Sequence, residues 1–266
     1  MSLFPAPLID VYPYDGARDV SISNGYIRLY FKDYILPESF EEAFSITPEP
    51  ANLSFSYSSY DGRSSSFWYY INGDFKAETE YIFTIDTNAV TIHGQHLEFS
   101  YSNSFTTENF RINQILCFGD SYSYLLIEFN AYVPLENFDK ISIDPPTPVR
   151  LDEGRSGRGS SGTPNYFRIY PEVSWMTDTT YRILISGEIC ESNGTMLGRD
   201  SVFTFTTEPI KIADHYPRNN QYFIGLLPDI RVMFNNIVDE GTIEEALSVV
   251  PEAVYEIWKH PMSLVL

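Results

Sequence analysis

Apolar and polar residues alternate along Tyr26–Phe31 (YIRLYF), where Ile27, Leu29 and Phe31 are interleaved with Arg28 and Tyr30. A period of two predicts a strand with one buried face. Phe55–Tyr57 and Phe67–Ile71 read as a hairpin turning at Asp61-Gly62, with Phe55, Tyr57, Phe67, Tyr69 and Ile71 pointing inward by the same alternation. Glu80–Asp86 and Leu97–Thr107 predict two further strands, with a loop over 88–96 between them. Pro37–Phe44 breaks the pattern. Ser39 and Glu42 have the spacing of a capping box, in which serine accepts one orphan N–H and glutamate another. That predicts a helical turn before Ser45–Pro48 returns to extended chain.

The pattern is written more than once. Thr79-Glu80-Tyr81-Ile82-Phe83-Thr84-Ile85, ending at Phe105-Thr106-Thr107-Glu108, recurs as Thr180-Tyr181-Arg182-Ile183-Leu184-Ile185, ending at Phe205-Thr206-Thr207-Glu208. Tyr81 to Tyr181 and Phe105 to Phe205 are each 100 positions apart. A fixed period of that size predicts tandem units. The front half comes a third time: His215-Tyr216-Pro217 matches Val11-Tyr12-Pro13, Asp229–Phe234 matches Tyr26–Phe31, and Thr242–Glu252 matches Ser39–Glu49, capping pair included. In the middle copy Tyr124–Phe129 is the early strand, and Asn137–Lys140 replaces the helical turn ahead of Ile141–Pro145. The Phe-to-Pro spacing is 17 (Phe31, Pro48), 16 (Phe129, Pro145) and 17 (Phe234, Pro251).

The expected boundaries are 1–108, 109–208 and 209–266, meeting at Glu108-Asn109 and Glu208-Pro209 with almost no linker. Each unit is expected to hold its own core. The second is divergent and carries a polar insertion over 151–165, read as a mobile hairpin tip. The third is a partial copy and is expected to be the least stable. About seven short strands per unit, separated by turn residues, is β-sandwich patterning. Tyr81 and Tyr181, near the start of the penultimate strand, suit a tyrosine corner, with the hydroxyl reaching back to loop backbone.

Tyr12-Pro13…Gly16, YIRLYF, Ala43-Phe44-Ser45-Ile46-Thr47-Pro48, Thr79-Glu80-Tyr81 and Ser104-Phe105-Thr106-Thr107 together resemble the bacterial Ig-like domain of surface-layer and other exported bacterial proteins. The resemblance covers the first unit, most of the second and the front half of the third. It implies an all-β chain of tandem immunoglobulin-like β-sandwiches, the third copy incomplete. Similar sandwiches form the macroglobulin-like domains of bacterial protease-trapping proteins, whose thioester motif is absent here. The matching positions are core and turn positions, so no functional residue carries over.

The composition narrows the partners. Tyr and Phe number 20 and 19, which favours strands over helices. Net charge is −19, spread as −10, −5 and −4 over the three units, so acidity belongs to the whole surface. Phosphate binding needs clustered Lys and Arg, which argues against nucleic acid as a partner. The sequence has no apolar run long enough for a membrane span.

Candidate chemistry is sparse. Ser54–Tyr70 mixes Tyr, Ser, Gly and Trp as binding loops do, and alternation leaves Tyr60, Trp68 and Tyr70 outside as contacts for a glycan or protein. Cys117 and Cys190 are either a disulfide of an exported protein or two buried thiols. His93 and His96 lack companions for a metal site. Gly154–Gly162 has phosphate-loop glycines without the Gly-Lys-Ser/Thr ending. Asp139, Asp144, Asp152 and Glu153 are scattered, so calcium rests only on the acidity of loops near unit junctions. No catalytic constellation is legible. The expected role is a non-catalytic structural or display segment of a longer exported cell-surface protein, a monomeric rod without cofactor. The alternatives are a glycan- or protein-binding adhesin module and an accessory module of an exported hydrolase.

Overall fold

The computed structural model describes residues 7–23, 25–61, 66–117, 124–152, 165–222, 224–225, 229–251, 254, 256–260 and 262–265. The first stretch forms β1 (Leu8–Tyr12), β2 (Ala17–Val20), β3 (Tyr26–Phe31), α1 (Pro37–Ala43), β4 (Phe44–Thr47), β5 (Ala51–Tyr57), β6 (Phe67–Asp74), β7 (Glu80–Ile85) and β8 (Tyr101–Thr107). These make two sheets, ordered β1-β3-β6-β5 and β2-β8-β7-β4. Ile27, Leu29, Phe31, Phe67, Tyr69 and Ile71 from one sheet are buried, as are Tyr81, Phe83, Ile85 and Phe105 from the other. Phe44 and Phe55 meet ring to ring across the sandwich at 5.7 Å. Burying each such side chain is worth about 1.5–3 kcal/mol, so the alternation sets both sheet faces.

The second stretch forms β9 (Ile112–Cys117), β10 (Leu125–Phe129), a 3₁₀ turn (Leu135–Lys140), β11 (Ile141–Asp144), β12 (Val149–Asp152), β13 (Tyr166–Pro171), β14 (Thr180–Ile185) and β15 (Ser201–Thr206). Its sheets are β12-β13-β10-β9 and β11-β14-β15. The third has one sheet among the described residues, β16-β17-β19-β18, from β16 (Ile212–Tyr216), β17 (Arg231–Phe234), β18 (Trp258–His260) and β19 (Ser263–Val265), with α2 over Glu240–Ala246. The expected tip over 151–165 falls largely on residues 153–164, outside those described; β12 and β13 pair antiparallel on either side of it.

The corner motif recurs in detail. The Tyr81 hydroxyl accepts the Lys76 N–H at 2.8 Å, and that of Tyr181 accepts the Met176 N–H at 2.9 Å. Thr107 and Thr207 each accept the amide of Thr79 or Thr179 at 3.0 Å. Their hydroxyls donate to the carbonyls of Lys76 and Met176. Behind each tyrosine lies a ring the sequence reading missed. Phe75 meets Tyr81 edge-on at 5.0 Å, and Trp175 meets Tyr181 at 5.0 Å. Phe105 and Phe205 stack on the tyrosines at 5.5 and 5.0 Å and also meet Phe75 and Trp175, at 5.7 and 5.4 Å.

The capping boxes are not formed. Proline has no N–H to satisfy and suits the first helical position, so α1 begins at Pro37 behind Leu36, which gives no side-chain cap. Ser39 therefore sits inside the first turn. It donates to the Leu36 carbonyl at 3.0 Å and accepts the Val90 N–H at 3.0 Å. Thr242 likewise donates to the Asp239 carbonyl at 2.9 Å, and Asp239 caps α2 by accepting the Gly241 N–H at 2.9 Å. In the 3₁₀ turn Asn137 takes the serine's place, its Oδ1 accepting the Cys190 N–H at 3.2 Å. Pro13, Pro48, Pro145, Pro217 and Pro251 follow cis peptide bonds.

Among the described residues no ladder joins strands across 108 or 208. The buried side chains from Leu8 to Phe205 nevertheless form one connected cluster, where separate cores were expected. The contact lies at a hydrogen-bonded seam. The Tyr132 hydroxyl donates to the Ser23 carbonyl at 3.0 Å, and Asn193 Nδ2 donates to the Asp74 carbonyl at 3.3 Å. Glu108, itself buried, donates its amide to Val20 at 2.9 Å, accepts the Ile22 N–H at 3.2 Å and pairs with Arg111.

Candidate functional site

The outward face of β1-β3-β6-β5 gathers the aromatic residues that alternation leaves outside. Tyr30 stacks on Trp68 with centroids 4.1 Å apart and planes 27° apart. The Arg28 guanidinium lies over the Trp68 ring at 4.7 Å and over Tyr12 at 5.9 Å. Tyr26 bridges Tyr12 at 5.5 Å and Tyr70 at 5.8 Å. The ladder register produces this cluster, setting Tyr30 opposite Trp68, Arg28 opposite Tyr70 and Tyr12 opposite Arg28. Ser54 and Ser56 border it as an exposed polar margin. Flat aromatic area with hydroxyls and one cation can hold a partner by ring stacking and hydrogen bonds.

Of the three predicted contacts, Trp68 and Tyr70 share this face. Tyr60, 44% exposed, does not join them. It packs against Tyr34 at 5.3 Å and against inward-facing Phe67 at 6.0 Å. Tyr12, Tyr26, Arg28 and Tyr30 were missed as site residues. The alternation that set Ile27, Leu29 and Phe31 inward was the signal that could have found them.

Arg–Tyr packing also marks the corresponding face of β12-β13-β10-β9. Arg150 lies over Tyr170 at 4.8 Å, and Arg168 lies over Tyr166 at 4.9 Å and Tyr124 at 5.4 Å. On β16-β17-β19-β18 the same position is a groove of about 650 Å³ lined by Asp214, Tyr216, Asp229, Arg231 and Met233. The outward surface thus changes from sheet to sheet, while the first two units share the same corner residues.

Among the described residues the other candidates are not assembled into sites. The structure does not bring Cys117 and Cys190 together. Cys117 ends β9 in one sheet. Cys190 lies beyond β14 of the other, its sulfur 3.5 Å from Asn137 Oδ1. His93 Nε2 is 3.9 Å from Asp33, and His96 Nδ1 bonds the Thr87 carbonyl at 2.8 Å. Among the described residues no three His, Cys, Asp or Glu side chains are placed to hold a metal ion, so nothing gathers Asp139 and Asp144 into a calcium site. Glu153 and Gly154–Gly162 lie outside the described residues.

The family model of the bacterial Ig-like domain matches residues 5–107. Those residues are a bacterial Ig-like domain. No curated protein matches the chain. Among solved structures the chain is similar to native alpha-2-macroglobulin from Escherichia coli spanning domains MG0-NIE-MG1, at 10% identity over 85% of this chain and 76% of that one, TM-score 0.34. It is also similar to domains 4-9 of surface layer protein SbsC, at 12% identity over 78% of this chain and 32% of that one, TM-score 0.23. No helix among the described residues is long and apolar enough to cross a membrane.

Within the Ig-like domain the perturbed groups are tyrosines. Burial raises the hydroxyl of Tyr57, and its bond to Glu41 raises it further. Burial likewise raises Tyr69, whose hydroxyl donates to the Ile35 carbonyl, and Tyr81 and Tyr101. These are packing positions of the Ig-like domain, and they point to no proton-transfer chemistry.

Proposed function

We propose that the chain is a non-catalytic structural and display segment of an exported bacterial cell-surface protein, built from tandem Ig-like units over 1–108, 109–208 and a partial 209–266. The observation that carries this reading is the seam at Glu108. The ion pair of buried Glu108 with Arg111 and two hydrogen bonds, Tyr132 to Ser23 and Asn193 to Asp74, tie the first sandwich to the second without a linker. A seam with buried, bonded polar groups restricts the hinge freedom usual between domains. The corner shared by Tyr81 and Tyr181 supports the tandem assignment. Small-angle scattering is expected to give an elongated monomer, and a compact globular profile contradicts the reading.

The outer face around Trp68 favours a second role, contact with a glycan or protein partner. Glycan-array binding lost in Trp68→Ala or Tyr70→Ala supports it. No binding on a broad array, or binding unchanged in both variants, counts against it.

A further inference from the structure

A pocket of about 240 Å³ opens where the first sandwich meets the second, among Tyr26, Asn52, Ser54, Asn72, Asp74 and Tyr132. The β3–β6 and β5–β6 ladders set Tyr26 and Ser54 on either side of Asn72, so the three side chains share the outward face. β5 bulges between Ala51 and Ser54. A bulge re-aims the side chains beside it. Asn52, at φ 52°, thereby donates through Nδ2 to the Asp74 carboxylate at 2.6 Å. Tyr132 closes the pocket from the second unit, held by its bond to the Ser23 carbonyl. Tyr26 also stands edge-on to Tyr70 at 5.8 Å, so the pocket runs on into the aromatic face.

The repeat does not require these polar groups. Asn72-Gly73-Asp74 lies 100 positions ahead of Glu172-Val173-Ser174, which leads into Trp175 as the first stretch leads into Phe75. The corner forms in both units, with Val173 67% exposed where the first unit has Gly73. Among the described residues neither the Asn72 carboxamide nor the Ser54 hydroxyl has a hydrogen-bond partner.

The chemistry of the lining selects the occupant. Carboxamides both donate and accept, a carboxylate accepts, and a serine hydroxyl does either, which together suit adjacent hydroxyls. The Tyr26 ring offers apolar surface to the C–H face of a sugar. Among the described lining residues none is Lys or Arg, and the first unit carries −10, so an anionic ligand is disfavoured. No three His, Cys, Asp or Glu side chains among the described residues are placed to hold a metal ion. Ile22 is the one aliphatic side chain in the described lining and is itself buried, which leaves little to anchor a peptide side chain. We propose that this pocket between the units is the end subsite for an uncharged glycan, one sugar ring held by Asn72, Asp74 and Ser54 while the chain runs on over Tyr26, Tyr70 and Trp68; this rests on the reading of that outer face as a glycan contact. Junctions between domains are where such pockets commonly form.

The test titrates the whole 266-residue chain with cellohexaose, chitohexaose and mannohexaose by calorimetry. At least one is expected to bind, and Asn72→Ala is expected to weaken it about threefold to tenfold, as for a lost hydrogen bond. In the unaltered chain the bound sugar is expected to slow amide exchange at Ile22 and Asn52, a readout that needs no variant. Hexagalacturonate, of the same length but anionic, is expected not to bind. The subsite is overturned if none of the uncharged sugars binds, if binding leaves both amides unchanged, or if hexagalacturonate binds as tightly. Binding unchanged in Asn72→Ala overturns it as well; if Trp68→Ala abolishes that same binding, the outer face stands as a glycan contact without the subsite.

Discussion

The hydroxyl of Tyr181 accepts the amide proton of Met176 at 2.9 Å, closing the loop that leads into β14. Tyr181→Phe keeps the ring against Trp175 and Phe205 but leaves that N–H without its acceptor. The expected cost is about 0.5–1.5 kcal/mol, the net worth of a part-buried hydrogen bond. Tyr81→Phe is expected to cost a similar amount through Lys76. Urea unfolding of each variant measures it, and midpoints equal to wild type contradict the corner's role.

Alkali should unfold the chain through its tyrosines. Burial raises Tyr57, Tyr69, Tyr81, Tyr101 and Tyr132 above the ordinary value of 10.0. A raised value in the fold means the neutral phenol is favoured there, so the stabilisation is full below about pH 10 and is lost as pH climbs beyond it. Phenolate absorbance should show one set of tyrosines titrating normally and another ionising only as circular dichroism is lost. Smooth titration of all 20 with the fold intact rules this out.

The seam can be loosened without melting either sandwich. Tyr132→Phe combined with Asn193→Ala removes the bonds to Ser23 and Asp74, each worth about 0.5–1.5 kcal/mol. Amides near Ile22 are expected to exchange faster while β7 and β14 keep their protection. Unchanged exchange at Ile22 shows that those two bonds do not hold the seam.

Gly187 is a steric requirement. A Cβ there would lie 2.6 Å from the Arg199 backbone nitrogen and 2.8 Å from its Cα, and backbone cannot swing aside as a side chain can. Gly187→Ala is expected to cost about 1–3 kcal/mol, the usual range for overpacking. An unchanged melting temperature refutes the clash.

What could be read in the chain divides along physical lines. Strands with strict alternation, such as Tyr26–Phe31, announce themselves because each inward position is large and apolar. The corner tyrosines are legible because their period fixes them. β2 was missed: it is four residues long, polar at Arg18 and Asp19, and Asp19 has φ 54°. It is a strand only because β8 runs parallel beside it. The capping box at Ser39 was misread because Pro37 starts the helix two residues earlier, and no local pattern reveals that Val90 will need the serine hydroxyl. Phe75 and Trp175 lie outside any periodic run, so their place behind the corner tyrosine is tertiary information. The aromatic face was half visible, since Trp68 and Tyr70 show in one strand while Arg28 and Tyr30 join them only through sheet register.

Glu108 has a mechanical consequence. Tension applied to the two ends of the chain must pass through this residue to travel from β8 into β9. Its amide holds Val20, its carbonyl takes the Glu78 N–H at 3.1 Å, and its carboxylate holds Ile22 and Arg111. A pull is therefore divided among several bonds in two loops before any central strand feels it, and this joint resists stretching as a clamp rather than a tether.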